Sequence, residues 1–276
     1  MQSLPVYVIS LHDAVERRAL IKKHLDSLDI AHEIIDAVRG DALSPEFLRK
    51  VNPTRNMSLG QIGCYLSHIH VYERMIEHQI PVALILEDDS TLHPSIKVLI
   101  KDGCKSVDFD YCFLGSDDRG DAGYVFFDAA KPVPLGGQHC GYPLSAGPFG
   151  TYSYLVSLDG AKKRVSCAYP IKSAIDHYQF LPYQPRYIAT IPMMTSMNKL
   201  SAVQSISSIN WSSLQKIARK YSWYYTFRDI LKLHAIRKLI ALRAQEFPWQ
   251  GRWESYVSAS RVVSGGHIYR SGDQLK

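Results

Sequence analysis

Three consecutive carboxylates, Glu87, Asp88 and Asp89, follow the apolar run "VALIL" in the stretch "VALILEDDSTLHPS". Adjacent acids repel one another, and the arrangement is tolerable when they are solvated, paired or bound to a cation. A solvated turn is the plain reading of any EDD. Here the acids terminate an apolar strand, the place where open α/β sheets take their ligands. Hard divalent ions such as Mn²⁺ or Mg²⁺ bind carboxylate oxygens and bridge to phosphates, so a metal with a diphosphate would answer the charge. Neither GxxxxGK[ST] nor GxGxxG occurs in the chain, which removes the glycine cradles of P-loop and dinucleotide sites.

The elements that must position these acids alternate. "PVYVISL" reads as a strand, residues 13–28 carry apolar groups at helical spacing, and "HEIIDAV" reads as a second strand. Ser58 and Gln61 form a capping-box pattern ahead of Ile62, Leu66, Ile69, Tyr72 and Ile76, so a largely buried helix is expected over residues 58–80. "PSIKVLIKDG" then reads as a helix and "FDYCFLGS" as a third buried strand with a small-residue exit. Strands apolar throughout, separated by helices, imply an α/β fold with a mainly parallel, Rossmann-like sheet covered on both faces. Residues 117–150 are rich in Gly and Pro and suit a substrate loop or a β-meander; "TYSYLVS" resumes as a strand and "DGAKKRVSC" as a helix.

Composition bounds the rest. The 276 residues, 46% hydrophobic and 21% charged, describe a globular chain. No apolar run reaches the roughly 20 residues needed to cross a bilayer, and "LPVYVISL" lacks the basic start and cleavage site of a signal peptide, so a cytoplasmic protein is expected. The five cysteines are odd in number, without a CxxC pair, and read as small buried hydrophobes. The net charge of +6 is asymmetric: residues 211–276 carry 12 Lys/Arg against 4 Asp/Glu, leaving 20 against 22 in residues 1–210. Basicity confined to one segment argues against a nucleic-acid-coating protein.

The order "VYVISL…ERR", "IIDAVRGD", "LGQIGCYLSHIHVYERMI", "ALILEDD", "FGTYSYLVSLDGAKK" and "SAIDHYQF" resembles glycosyltransferase family 25, the lipooligosaccharide galactosyltransferases and their relatives, over roughly residues 5–200. The resemblance implies a GT-A-type nucleotide-sugar-binding fold, a UDP-sugar donor, and inverting transfer to a glycan hydroxyl. EDD would be its DxD-like motif, with Asp89 the first metal ligand, Glu87 the second, and Asp88 at the ribose or behind the metal. Asp176, which matches a motif acid of the family, is the expected general base, with Asp117 and Asp118 as competitors. Ser10 stands where the family commonly has Asn.

Other roles follow from position. Arg17 and Arg18 open the first helix, where a guanidinium can reach a diphosphate or the base of the nucleotide. Val8, Ser10, Asp36, Ala37 and Val38 stand at the ends of the first two strands and should line the uridine pocket, with Ser116 at the exit of the third strand. His68 reads as a hydrogen-bonded core histidine that orients the site, and Gly150 and Thr151 as a close approach of backbone to sugar.

The chain divides at about residue 205, into a catalytic domain over 1–205 and a basic, aromatic helical segment over 206–276. Residues 211–252 interleave Trp and Tyr with nine Lys/Arg against Asp229 and Glu246, which suits either an anionic membrane surface or a helix packed on the body. The expected activity is transfer of galactose from UDP-galactose, in a β linkage, to a lipid-linked oligosaccharide of bacterial lipooligosaccharide or lipopolysaccharide. That would be catalysed at the inner face of the bacterial inner membrane, where the protein would be peripheral. UDP-glucose transfer, a metal-dependent phosphohydrolase and a non-catalytic glycan-binding protein stand as alternatives.

Overall fold

A computed structural model of the protein describes residues 3–54, 57–104, 107–115, 124–137, 139–146, 150–178, 181–197 and 266–270. The chain opens with strand β1 (Val6–Ser10), helix α1 (Val15–Ser27), strand β2 (Glu33–Asp36), and helices α2 (Pro45–Val51) and α3 (Leu59–Glu77). Strands β3 (Val82–Glu87) and β4 (Ser90–Leu92), helix α4 (Ile96–Asp102) and strand β5 (Tyr111–Phe113) follow. Then come β6 (Tyr124–Asp128), β7 (Val133–Pro134), β8 (Cys140–Ala146), β9 (Ser153–Ser157) and helix α5 (Leu158–Ser166). Strands β10 (Tyr187–Thr190), β11 (Thr195–Met197) and β12 (Gly266–Arg270) complete the described chain.

The main sheet runs β2-β1-β3-β9-β5-β10-β8-β6-β12, with β7 paired to β8. From β2 to β10 every strand points the same way except β9, which lies antiparallel between β3 and β5. The mainly parallel expectation holds for this central part. The strand read at "TYSYLVS" exists, but its direction and its place in the middle of the sheet depend on partners distant in sequence. The Gly- and Pro-rich stretch supplies an antiparallel meander of β6, β7 and β8 at one side, joined by β12 on β6.

Alternation along each strand separates two cores. Val6 and Val8 of β1 and Leu84 and Leu86 of β3 pack with Ile21 and Leu25 of α1 and Leu99 and Ile100 of α4. Tyr7, Ile9, Ala83 and Ile85 face the other way, against Ile62, Leu66, Ile69, Tyr72 and Met75 of α3. A strand buried on both faces has no polar register, which is why these runs are apolar throughout.

Helix α3 starts where the sequence placed it. Ser58 Oγ accepts the Gln61 N–H at 3.2 Å, and Gln61 Oε1 accepts the Ser58 N–H at 3.0 Å. Its first turns press against the loop after β2. A Cβ on Gly63 would lie 2.4 Å from the Val38 carbonyl oxygen, and the Ser67 hydroxyl accepts the Val38 N–H at 2.8 Å. Gly63→Ala is therefore expected to cost about 1–3 kcal/mol through overpacking against backbone, read as a lowered urea midpoint. Among the described residues no helix is long and apolar enough to cross a membrane. The basic segment 211–252, and with it the helical reading of 206–265, lies outside the described residues, as do Ser116, Asp117 and Asp118; within the C-terminal part, residues 266–270 form a strand.

Candidate active site at the carboxyl end of the sheet

The carboxyl ends of β1, β2, β3 and β5 lie at one edge of the sheet, because these strands share a direction. Since β9 runs against them, its start brings Thr151 and Tyr152 to the same edge: Ser153 pairs with Leu86, and the Glu87 N–H donates to the Tyr152 carbonyl at 2.9 Å. β11 returns here too, pairing with β4 just past the acids.

The three acids of β3 have unequal surroundings. Asp88 is 7% exposed; its Oδ2 accepts the Ser10 hydroxyl at 2.5 Å, and its Oδ1 is paired with the Arg17 guanidinium. Asp88, Ser10 and Arg17, all expected near the nucleotide, thus stand together at this strand end. Their polar groups close on one another and tie β1 and α1 to the end of β3. Arg17→Ala would leave the Asp88 charge buried without its counter-ion. It is expected to destabilise the fold by about 3 kcal/mol, measured by denaturant unfolding.

Glu87 points elsewhere. Its Oε1 accepts the Thr151 hydroxyl at 2.6 Å and stands 3.5 Å from Nε2 of His68, a side chain with no solvent exposure. Burial opposes ionisation of Glu87, but the His68 imidazole, the Thr151 hydroxyl and the Arg17 charge together hold its carboxyl below the usual range. His68 Nδ1 lies 2.7 Å from the Tyr154 hydroxyl, so the expected hydrogen-bonded core histidine is found, and it faces a site acid.

Cys64, one turn before His68 on α3, was read as a small buried hydrophobe. It is half-buried, and its Sγ, His68 nitrogen and a Glu87 oxygen lie within 4.8 Å of one another, a set that could hold a metal ion. The Cys-x-x-x-His spacing on one helix face is the signal for it in the sequence. Burial pushes the Cys64 thiol well up, and the carboxylates of Glu87, Asp176 and Asp89 push it the same way. Of Cys64, His68 and Glu87, only Glu87 offers an oxygen of the kind hard divalent cations take, while the Cys64 sulfur and the His68 nitrogen are softer donors. At the opposite end of β5 the contrast is plain: fully buried Asp110 is met by Lys163 at 3.0 Å and Arg186 at 3.1 Å, and serves the fold.

Asp176 reaches the site from the loop after α5. Its Oδ2 accepts the Gly150 N–H at 3.4 Å, and Gly150 has φ +88°, a left-handed backbone that favours glycine. This turn aims Thr151 at Glu87, so Gly150 and Thr151 shape the site through the acids. Gly115, after β5, also stands here: a Cβ on it would meet the Tyr152 hydroxyl at 2.3 Å and the Thr195 hydroxyl at 2.5 Å. Tyr152 lies within the quoted FGTYSYLVS stretch and Thr195 in none; the two become neighbours only through β9 and β11.

The expected uridine pocket is only partly assembled. The Val8 side chain is fully buried in the core beneath α1 and α4, which leaves only its main chain to face a ligand. The Arg18 guanidinium donates to the Ser10 and Leu11 carbonyls at 2.8 Å and pairs with Asp36, which holds the ends of β1 and β2 together. Asp36 remains largely exposed, and Ala37 and Val38 lie half-buried at the rim.

A family model described as "Glycosyltransferase family 25 (LPS biosynthesis protein)" matches residues 3–179. A Drosophila melanogaster protein named "Glycosyltransferase 25 family member" is 27% identical over 192 residues, 64% of this chain and 30% of its own. Procollagen galactosyltransferase 1-A of Xenopus laevis is 28% identical over 193 residues, again 64% of this chain and 30% of its own. A Haemophilus influenzae protein whose name assigns it provisionally to the glycosyltransferases is 30% identical over 182 residues, 63% of this chain and 62% of its own. The chain thus spans less than a third of the length of these animal relatives. A solved glycosyltransferase involved in the glycosylation of the major capsid of PBCV-1 aligns with 68% of this chain and 81% of its own at 10% identity and a TM-score of 0.36.

Proposed function

The chain belongs to glycosyltransferase family 25, and from that premise we propose that it transfers a hexose from a UDP-sugar to a glycan hydroxyl, with inversion and with a divalent cation. The observation that carries this is that Glu87 and Asp89 stand at the end of β3 beside Thr151, which donates to Glu87 at 2.6 Å, and that the adjoining Gly150 N–H donates to Asp176 at 3.4 Å, while Asp88 is neutralised separately by Arg17.

Asp89 and Glu87 would hold the cation, Mn²⁺ or Mg²⁺. Once bound, it supplies positive charge to the leaving diphosphate. Asp176 takes the proton of the acceptor hydroxyl as that oxygen attacks the anomeric carbon from the face opposite the leaving group; the bond from that carbon to the diphosphate oxygen breaks, and UDP departs. Gly150 fixes the reach of Asp176 through its N–H, and Thr151 fixes the rotamer of Glu87.

The donor is proposed as UDP-galactose and the new linkage as β, with UDP-glucose as the alternative. The match to a galactosyltransferase supports the first. A lipid-linked lipooligosaccharide or lipopolysaccharide acceptor is supported by the wording of the family model and by the bacterial relative. Incubation with UDP-sugars, Mn²⁺ and a glycan acceptor tests the reading: sugar transfer is expected, whereas phosphate release from simple esters without transfer would replace it with a phosphohydrolase. The cation-rich segment 211–252 is proposed to place the protein on the anionic inner face of the bacterial inner membrane. Flotation with anionic vesicles should then succeed at low salt and weaken at high salt; no flotation at any salt would remove the membrane proposal.

A further inference from the structure

We propose that Tyr154 is a positioning residue: its hydroxyl, joined to that of Tyr72 in a buried chain, fixes the His68 tautomer presenting Nε2–H to Glu87. The inference rests on the transfer reaction above, in which Glu87 helps to hold the cation. Tyr72, Tyr154 and His68 have no solvent exposure. The Tyr72 and Tyr154 hydroxyls are 2.6 Å apart, the Tyr154 hydroxyl is 2.7 Å from His68 Nδ1, and His68 Nε2 is 3.5 Å from Glu87 Oε1. Burial pushes both phenols up, so each keeps its proton.

The direction of the chain follows from counting protons. A neutral imidazole carries one N–H and one lone pair. With the proton on Nε2, Nδ1 accepts from Tyr154, the Tyr154 oxygen accepts from Tyr72, and Nε2–H faces the Glu87 carboxylate across 3.5 Å. With the proton on Nδ1, the donors reverse. The Tyr72 proton then has no acceptor among the described residues, and the Nε2 lone pair is set against a carboxylate oxygen. Each arrangement leaves one buried donor without a formed bond, Nε2–H in the first and the Tyr72 hydroxyl in the second, so the lone pair set against the carboxylate in the second separates them.

The reversed chain is also the one that would make His68, Cys64 and Glu87 a ligand triad, since only a bare Nε2 can bind an ion. An Nε2–H turned toward the carboxylate thus favours His68 as the donor that steers Glu87 over His68 as a ligand. At 3.5 Å the contact is longer than a formed hydrogen bond and acts as an electrostatic steer, free to shorten when ligands close on the site.

The test reads the imidazole itself. In full-length protein with isotope-labelled histidine nitrogens, nuclear magnetic resonance should show His68 as the Nε2–H tautomer, its signals identified by their loss in His68→Gln. An Nδ1–H tautomer, or an Nε2 signal that shifts as a ligand on addition of Zn²⁺, would overturn the proposal while leaving the transfer reaction intact. Tyr154→Phe, which does not touch Glu87, should release the tautomer and weaken Mn²⁺ binding, measured by titration in the presence of UDP, about tenfold. Tyr72→Phe should leave the tautomer in place. Unchanged Mn²⁺ affinity in a folded Tyr154→Phe protein refutes the positioning role. If Tyr154→Phe does not fold, the wild-type tautomer decides alone. Wild-type protein that shows the Nε2–H tautomer and no transfer counts against the reaction, not the hydrogen-bond chain.

Discussion

Asp176→Asn is expected to lower the rate of sugar transfer by about 10²–10⁴-fold, the usual contribution of a positioned general base. The loss should fall on kcat, because Asp176 acts on the acceptor proton and not on the donor. Binding of UDP with Mn²⁺ should remain near the wild-type value. The fold should tolerate the change: an Asn oxygen can still accept the Gly150 N–H that now reaches Asp176 Oδ2 at 3.4 Å, and the residue is only half-buried. Transfer within tenfold of wild type would remove Asp176 as the base and return the role to another acid of the site.

Asp89→Asn should act earlier in the reaction. Removing a charged ligand weakens the cation and with it the grip on the diphosphate, so Mn²⁺-dependent UDP binding should be lost. kcat/KM should fall by about 10³-fold, equivalent to the several kcal/mol that a Lewis-acid cation supplies. Calorimetric titration of Mn²⁺ in the presence of UDP separates this from the Asp176 variant, which keeps binding. If both variants transfer sugar normally, the chain is a glycan-binding protein that keeps the fold. The two substitutions thus divide the site between holding the donor and activating the acceptor.

Much of this was legible in local pattern. The Ser58–Gln61 capping box marks the start of α3 because its hydrogen bonds close within four residues. The apolar run ending at Glu87 marks β3 because a strand buried on both faces needs no polar alternation. That acids at such an end would meet a ligand followed from the same reasoning. Arg18 stands in the first helix and Asp36 at the end of β2, as expected, but one end of each interaction is invisible in local pattern. Arg18 ties together the strand ends where it stands, and Arg17 goes to Asp88, 71 residues away. An arginine near a nucleotide site and an arginine neutralising a buried acid have the same local sequence.

The sequence by itself determined helices α1, α3, α4 and α5 and strands β1, β2, β3, β5 and β9, which residues were apolar on both strand faces, and that three carboxylates would stand together at the end of one strand. Those features depend on neighbours within a turn or two. Tertiary structure alone decided how the three acids differ. Asp88 is neutralised because α1 folds Arg17 over it, Glu87 meets Thr151 because β9 enters antiparallel beside β3, and His68 faces Glu87 because α3 lies across that face of the sheet. Each of these contacts joins residues tens of positions apart, and electrostatic and hydrogen-bond energies depend on distances that no sequence spacing specifies.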